Sequence, residues 1–265
     1  LNSQGPADPG FGDTPQLIAG LEDALAKARM HADRQEEGLV LGKLGLAHAN
    51  LGRVCRAIEH YEAALVIARE SGDRCLEGNT LSGLGCAHYG VGQVERAIKC
   101  YKGALAIAQE RGDRSAQGAQ IGNLGVAYTE LRDRRRALVY LERAVAIYTE
   151  LGDRLGEGRG LGNLGNLYVA MGQIGDAIGC YKQALTVARE IGDRHAEGAL
   201  LGNLGIAYAD LDETGRAIAC HQEALAIHRE LGDQRGEGAD LGNLGILHKC
   251  LGDVEAAIDC HESAL

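Results

Sequence analysis

The chain has 265 residues and a formal net charge of −10, and that acidic balance excludes a general binder of nucleic acid or anionic membrane, which needs a basic footprint. Apolar residues make up 45% of it, but no run of about 18 occurs, so no membrane-spanning helix is expected. Glycine is abundant, at 39 residues, yet it follows no Gly-X-Y period and only 3 prolines accompany it, which excludes a collagen-like chain.

Residues 1–14 carry neither the basic nor the apolar segment of a signal peptide and read as a flexible leader. Thr14-Pro15 then places a capping residue before a proline at the first helical position, which predicts a helix over about 15–31. Beyond it the sequence repeats every 40 residues. Asn-Leu-Gly stands at 123–125, 163–165, 203–205 and 243–245, with worn copies Lys43-Leu44-Gly45 and Gly83-Leu84-Gly85. Within a unit, Leu41, Leu44, Gly45 and His48 fall on one helical stripe, and Ala57, Ile58, Tyr61, Ala64, Leu65 and Ala68 on a second.

Each unit is therefore helix A (about 36–50), a turn at Leu51-Gly52, helix B (about 54–70) and a Gly72-Asp73 turn. In that second turn Gly ends one helix and Asp caps the next. The predicted fold is all-α, a right-handed superhelical solenoid of antiparallel helix pairs forming one array over 15–265. It holds a half-repeat at 15–33, repeats at about 34–73, 74–113, 114–153, 154–193 and 194–233, and a shortened one at 234–265. Leu265 aligns with Leu225, after which the earlier helix runs on to about Leu231, so the chain is expected to be a piece of a longer protein.

A glycine inside a helix costs about 1 kcal/mol relative to alanine. Its return at 45, 85, 125, 165, 205 and 245 therefore predicts close packing of helices A and B, with the Ala57 series at the same crossing. His48, His88 and His248 occupy the slot of Tyr128, Tyr168 and Tyr208 and are expected to pack rather than react. The eight cysteines include no Cys-x-x-Cys pair and read as reduced thiols of a cytoplasmic protein, not as disulfides or metal ligands. Cys100, Cys180, Cys220 and Cys260 share one helix B position, with His221 and His261 after the last two, but neighbouring repeats hold such positions too far apart for one metal ion. Arg132, Arg134, Arg135 and Arg136 form the basic cluster of the third repeat and are either a solvated turn or a dock for an acidic partner. The recurring Arg154…Glu157 type of pair reads as helix-end electrostatics. No phosphate-binding loop, nucleophile or acid–base constellation is visible, so no enzyme activity, cofactor or metal is expected.

Leu161, Asn163-Leu164-Gly165 and Tyr168 in helix A, with Ala177, Tyr181 and Ala184 in helix B, resemble the tetratricopeptide repeat. The resemblance covers roughly 15–265, though the unit has 40 residues instead of the usual 34 and no proline at the helix B end. That longer unit is similar to the repeats of the LGN/Pins/AGS3 group of spindle and polarity adaptors. The resemblance implies that helix A lines a groove holding a partner peptide or helix, in a non-enzymatic adaptor. By position the groove would contain Asn123, Asn163, Asn166, Asn203 and Asn243, apolar anchors Leu46, Tyr89, Val126, Val169, Ile206 and Ile246, and charges at Arg159, Glu130, Asp210, Asp240 and Lys249. The asparagines either clamp a peptide main chain or bond within the helix stack. A clamp for a chaperone's terminal carboxylate is not expected, because its cations fall on Gly162, Ala239 and Asn243. The alternative function is a ligand- or peptide-sensing regulatory segment of a larger signalling protein, and self-association through the shortened last repeat is a further expected partner mode.

Overall fold

The computed structural model describes residues 14–264, with the side chain of Thr14 left aside. The leader expected over 1–14 lies outside the described residues except for Thr14, which opens α1 (Thr14–Met30). Twelve further helices follow in A/B pairs: α2 (Arg34–Asn50) with α3 (Val54–Ser71), α4 (Arg74–Gly90) with α5 (Val94–Glu110), and α6 (Arg114–Glu130) with α7 (Arg134–Leu151). The second half continues with α8 (Arg154–Ala170) and α9 (Ile174–Ile191), α10 (Arg194–Ala209) and α11 (Thr214–Leu231), α12 (Gln234–Cys250) and α13 (Val254–Ser263). No strand occurs among the described residues, so the fold is an all-α repeat fold. The described residues fall into two compact units that divide after Tyr140, inside α7.

The Gly-Asp turns work as their chemistry predicts. Asp73, Asp113, Asp193 and Asp233 each accept the backbone N–H three residues on, at 2.9 to 3.0 Å, and so cap the helix A that follows. Asp33 and Asp153 cap α2 and α8 in the same way. The N-cap residues of α3, α5, α9 and α11, Arg53, Gln93, Gln173 and Glu213, make no side-chain cap. These four B helices therefore lean on packing, whereas Asp133 and Asp253 cap the B helices α7 and α13.

The helical glycines have a physical reason. A Cβ at Gly45 would lie 2.7 Å from the Tyr61 ring, and Cβ atoms at Gly85 and Gly165 would collide with the rings of Tyr101 and Tyr181. What closes the A/B crossing is thus an aromatic ring of helix B lying on the glycine of helix A. Ala57, Ala97, Ala177 and Ala217 are wholly buried there, as the small-residue pattern predicts. His221 and His261 take over the ring position against Gly205 and Gly245. A second pairing is visible between Tyr148 and Gly156 and between His228 and Gly236: wherever this helix B slot carries a ring, the next helix A opens with glycine. Elsewhere the slot is Ala68, Ala108 or Ala188, facing Leu76, Ala116 or Ala196 in register.

In the first unit, Ile18, Leu25, Val40, Leu41, Leu44 and Ile67 form one buried cluster. In the second, Leu161, Tyr181, Leu185, Leu201, Leu204, Ile227 and Leu247 do the same. Each large apolar side chain so buried contributes about 1.5–3 kcal/mol.

Candidate functional site

One face of helix A remains accessible in successive repeats. On α8 it carries Leu155, Arg159, Gly162, Asn163, Asn166 and Val169; on α10, Ala199, Gly202, Asn203, Ile206 and Asp210; on α12, Arg235, Ala239, Gly242, Asn243, Ile246 and Lys249. The spacing of three and four residues places each set within one stripe of its helix. Ile206 is 46% exposed and Ile246 56%, unusual for isoleucine, while Val169 is half-buried. In the first unit, Asn123, Val126 and Tyr89 are half-buried and Leu46 is exposed, again on helix A.

Asn163, Asn203 and Asn243 are half-buried, and their side chains make no hydrogen bond to another described residue; the same holds for Asn123. An amide in that state keeps both its donor and its acceptor for a ligand. Asn166 differs. Its Oδ1 accepts from the Tyr181 hydroxyl at 2.7 Å, which fixes the amide and leaves its NH2 outward. Burial pushes the Tyr181 phenol up to about 12, so this hydroxyl remains a donor across the neutral range.

Beside each of Asn163, Asn203 and Asn243 stands a glycine that packing does not demand. A Cβ at Gly162 would sit 3.7 Å from Leu200 and one at Gly202 3.6 Å from Asp240, both ordinary contacts, and at Gly242 nothing lies within 4 Å. These glycines leave the helix surface low next to the amides, where a peptide main chain can approach. Their 40-residue recurrence was the signal available in the sequence, hidden beside the more conspicuous Asn-Leu-Gly core.

Asp240 corrects the sequence reading. It is 3% exposed and lies inside the stack, not on the accessible face. Its two carboxylate oxygens bond His221 Nδ1 at 2.9 Å and His228 Nδ1 at 2.8 Å. An ionised Asp240 requires both rings to donate from Nδ1, and the buried Nε2 of His221 then has no partner. Three slots that hold Tyr181, Ala188 and Leu200 one repeat earlier have changed together. The group joins α11 to α12; with His221 and Asp240 almost fully buried it has no access to a substrate.

The other singled-out residues fall into structural places. His48 and His88 are buried in the slot of Tyr128 and Tyr208, and His48 stacks on His60 with ring centroids 5.1 Å apart. Cys100, Cys180, Cys220 and Cys260 are half-buried free thiols, and burial pushes each of them up, away from the reactive thiolate. Among the described residues no group of three or more His, Cys, Asp or Glu side chains has the geometry to hold a metal ion.

The Arg154…Glu157 pairs belong to a ladder. Arg154 bonds Glu157 at 2.5 Å and also Glu190, which joins α8 to α9. Arg189 bonds Glu197 at 2.7 Å, joining α9 to α10, and Arg194 bonds Glu197 and Glu230. In the first unit, Arg29, Arg34, Arg69 and Arg74 make the same contacts with Glu37, Glu70, Glu77 and Glu110. This edge of each unit is electrically satisfied, whereas Arg159, Arg235 and Lys249 on the accessible face of helix A have no ion-pair partner among the described residues.

Comparison with known proteins places this geometry. The tetratricopeptide repeat model matches residues 36–110, 115–190, 157–230 and 196–265. A search of the curated proteins finds no match. Among solved structures, the apo form of RapI aligns with a TM-score of 0.75 and 14% identity over 95% of this chain and 90% of its own. BtubC (BKLC) from P. vanneervenii aligns at 0.66 and 21% identity over 95% of this chain and 89% of its own. A Rap protein complexed with competence and sporulation factor aligns at 0.69 and 16% identity over 93% and 74%. At such identities these structures show the fold alone. The family model, matching nearly the whole repeat array, shows more: the chain belongs to the tetratricopeptide repeat family.

Proposed function

We propose that the chain is a non-enzymatic, cytoplasmic interaction scaffold that holds an extended segment of a partner protein against the accessible face of its A helices. The observation that carries this reading is the row of amides without internal partners at Asn163, Asn203 and Asn243, set beside glycines that packing does not need and isoleucines left in solvent. Amides of this kind bond a peptide main chain whatever its sequence, and Val169, Ile206 and Ile246 supply the anchors that choose among sequences. Asn123 and Val126 present the same chemistry in the third repeat, with Asn166 and Arg159 adding an outward donor and a charge in the fourth. The 40-residue unit favours an adaptor of the LGN-type group.

Peptides selected from a displayed library on the intact chain should bind Asn163→Ala/Asn203→Ala/Asn243→Ala at least about tenfold more weakly, with thermal unfolding unchanged. Unaltered affinity would move the site off this face. A second reading, a sensing segment that regulates an attached effector, is favoured by the Rap complex among the similar structures. It predicts that a selected peptide changes the hydrogen exchange of helices it does not touch.

A further inference from the structure

The basic turn of the third repeat is a charged patch that the helix A face does not absorb. Arg132, Arg134, Arg135 and Arg136 are all exposed, and the fold adds Lys102 from α5. Lys102 Nζ lies 5.8 Å and Arg136 Cζ 5.3 Å from the centroid of the Tyr128 ring, so both cations sit on one buried aromatic.

The fifth repeat supplies the comparison within the same chain. There Lys182 and Arg216 take the same places on Tyr208, at 5.6 and 5.5 Å. The turn beside them, however, is Asp212-Glu213-Thr214-Gly215, and Arg216 is paired with Glu213 at 2.7 Å. The ring and its two cations therefore belong to the packing of the repeat, while Arg132, Arg134 and Arg135 are additional. None of these three has an ion-pair partner among the described residues; Asp133 pairs with Arg136 at 3.3 Å. One turn along α7, Val139 is 59% exposed, where the other repeats carry Glu59, Lys99, Gly179, Ala219 or Asp259. Three free guanidinium groups and an exposed valine thus share one surface of a chain whose net charge is −10.

We infer that this surface docks an acidic segment of a partner protein that carries an apolar residue within its run of carboxylates. Guanidinium groups bind carboxylates through paired N–H donors, and Val139 provides the apolar contact that a purely ionic encounter lacks. A single-stranded nucleic acid fits less well, because the aromatic ring here is buried beneath the cations and offers no stacking face.

The test uses the full chain and a fluorescein-labelled peptide of glutamates interspersed with leucines, followed by anisotropy at about 50 mM salt, where the Debye length still exceeds 10 Å. The expected result is saturable binding that Arg134→Glu/Arg135→Glu weakens at least about tenfold and that Arg53→Glu/Arg56→Glu, in the basic turn of the first repeat, leaves unchanged. Glutamates at the start of a helix suit its dipole, so the first variant folds at least as well as the parent and its loss of binding is not unfolding. The inference is overturned if the acidic peptide does not bind, or if both variants lose affinity equally. It is also overturned if an oligonucleotide of equal length binds more tightly. Sedimentation that shows a dimer abolished by Arg134→Glu/Arg135→Glu would assign the surface to a second copy instead.

Discussion

The glycines of this chain divide into two kinds that composition cannot separate. Gly165 is covered by the Tyr181 ring, whereas Gly242, three residues earlier in its own repeat's register, faces open space. Alanine therefore acts in opposite directions at the two sites. Gly165→Ala forces the ring off its seat and should cost about 1–3 kcal/mol, the usual penalty of overpacking. Gly242→Ala meets nothing, removes backbone freedom from the unfolded chain, and should gain up to about 1 kcal/mol. Urea unfolding of the two variants decides the matter. Equal effects would mean that close approach does not explain the series at 165. Periodicity made both glycines visible in the sequence, but only the position of the Tyr181 ring tells them apart, and that position depends on a partner 16 residues away.

Between elements, the α11/α12 contact is the place where the sequence reading failed, for a specific reason. A carboxylate's own chemistry suggests a surface charge, whereas the register mates of Asp240, Val40 and Leu200, are buried apolar residues. The buried position of Asp240 becomes intelligible only with His221 and His228, which replace an aromatic and an alanine on the neighbouring helix. Three residues that change together are costly to separate. Asp240→Ala leaves two imidazoles without their acceptor and should lose about 3 kcal/mol or more. Changing the whole set to that of the preceding repeat (His221→Tyr, His228→Ala, Asp240→Leu) should be neutral or stabilising, since an apolar set avoids the desolvation of the carboxylate. Thermal unfolding of the single and triple variants tests this. If the triple variant is as damaged as the single one, the cluster contributes more than satisfied burial. The capped A helices and the Gly-Asp turns, in contrast, were legible because a cap is local: Asp and the N–H it accepts lie three residues apart.

At the scale of the whole molecule, the Arg/Glu ladder makes stability a function of pH. Arg29 and Arg34 hold the Glu37 carboxyl below its ordinary value near 4.5, against burial, which pushes it up. At Glu197 burial pushes upward, and Arg189 and Arg194 together bring the carboxyl below that value; Arg74 lowers Glu110 in the same direction. A carboxylate whose folded pKa lies below its unfolded one adds stability that is fully present above the unfolded value and disappears as pH falls through the folded one. The ladder thus protects both units at neutral pH and gives way in acid, beginning near pH 4.5. Replacing Glu37 and Glu197 by glutamine removes the titration along with the charge-assisted bonds, at about 2 kcal/mol for each buried carboxylate. The double variant should therefore start less stable at pH 7 and lose less on acidification than the parent. Urea midpoints followed by circular dichroism from pH 7 to pH 3 measure the difference. A double variant whose acid loss equals the parent's would locate the acid sensitivity outside the ladder. That result would leave the basic turn and the helix A face untouched, because neither shares a residue with these pairs.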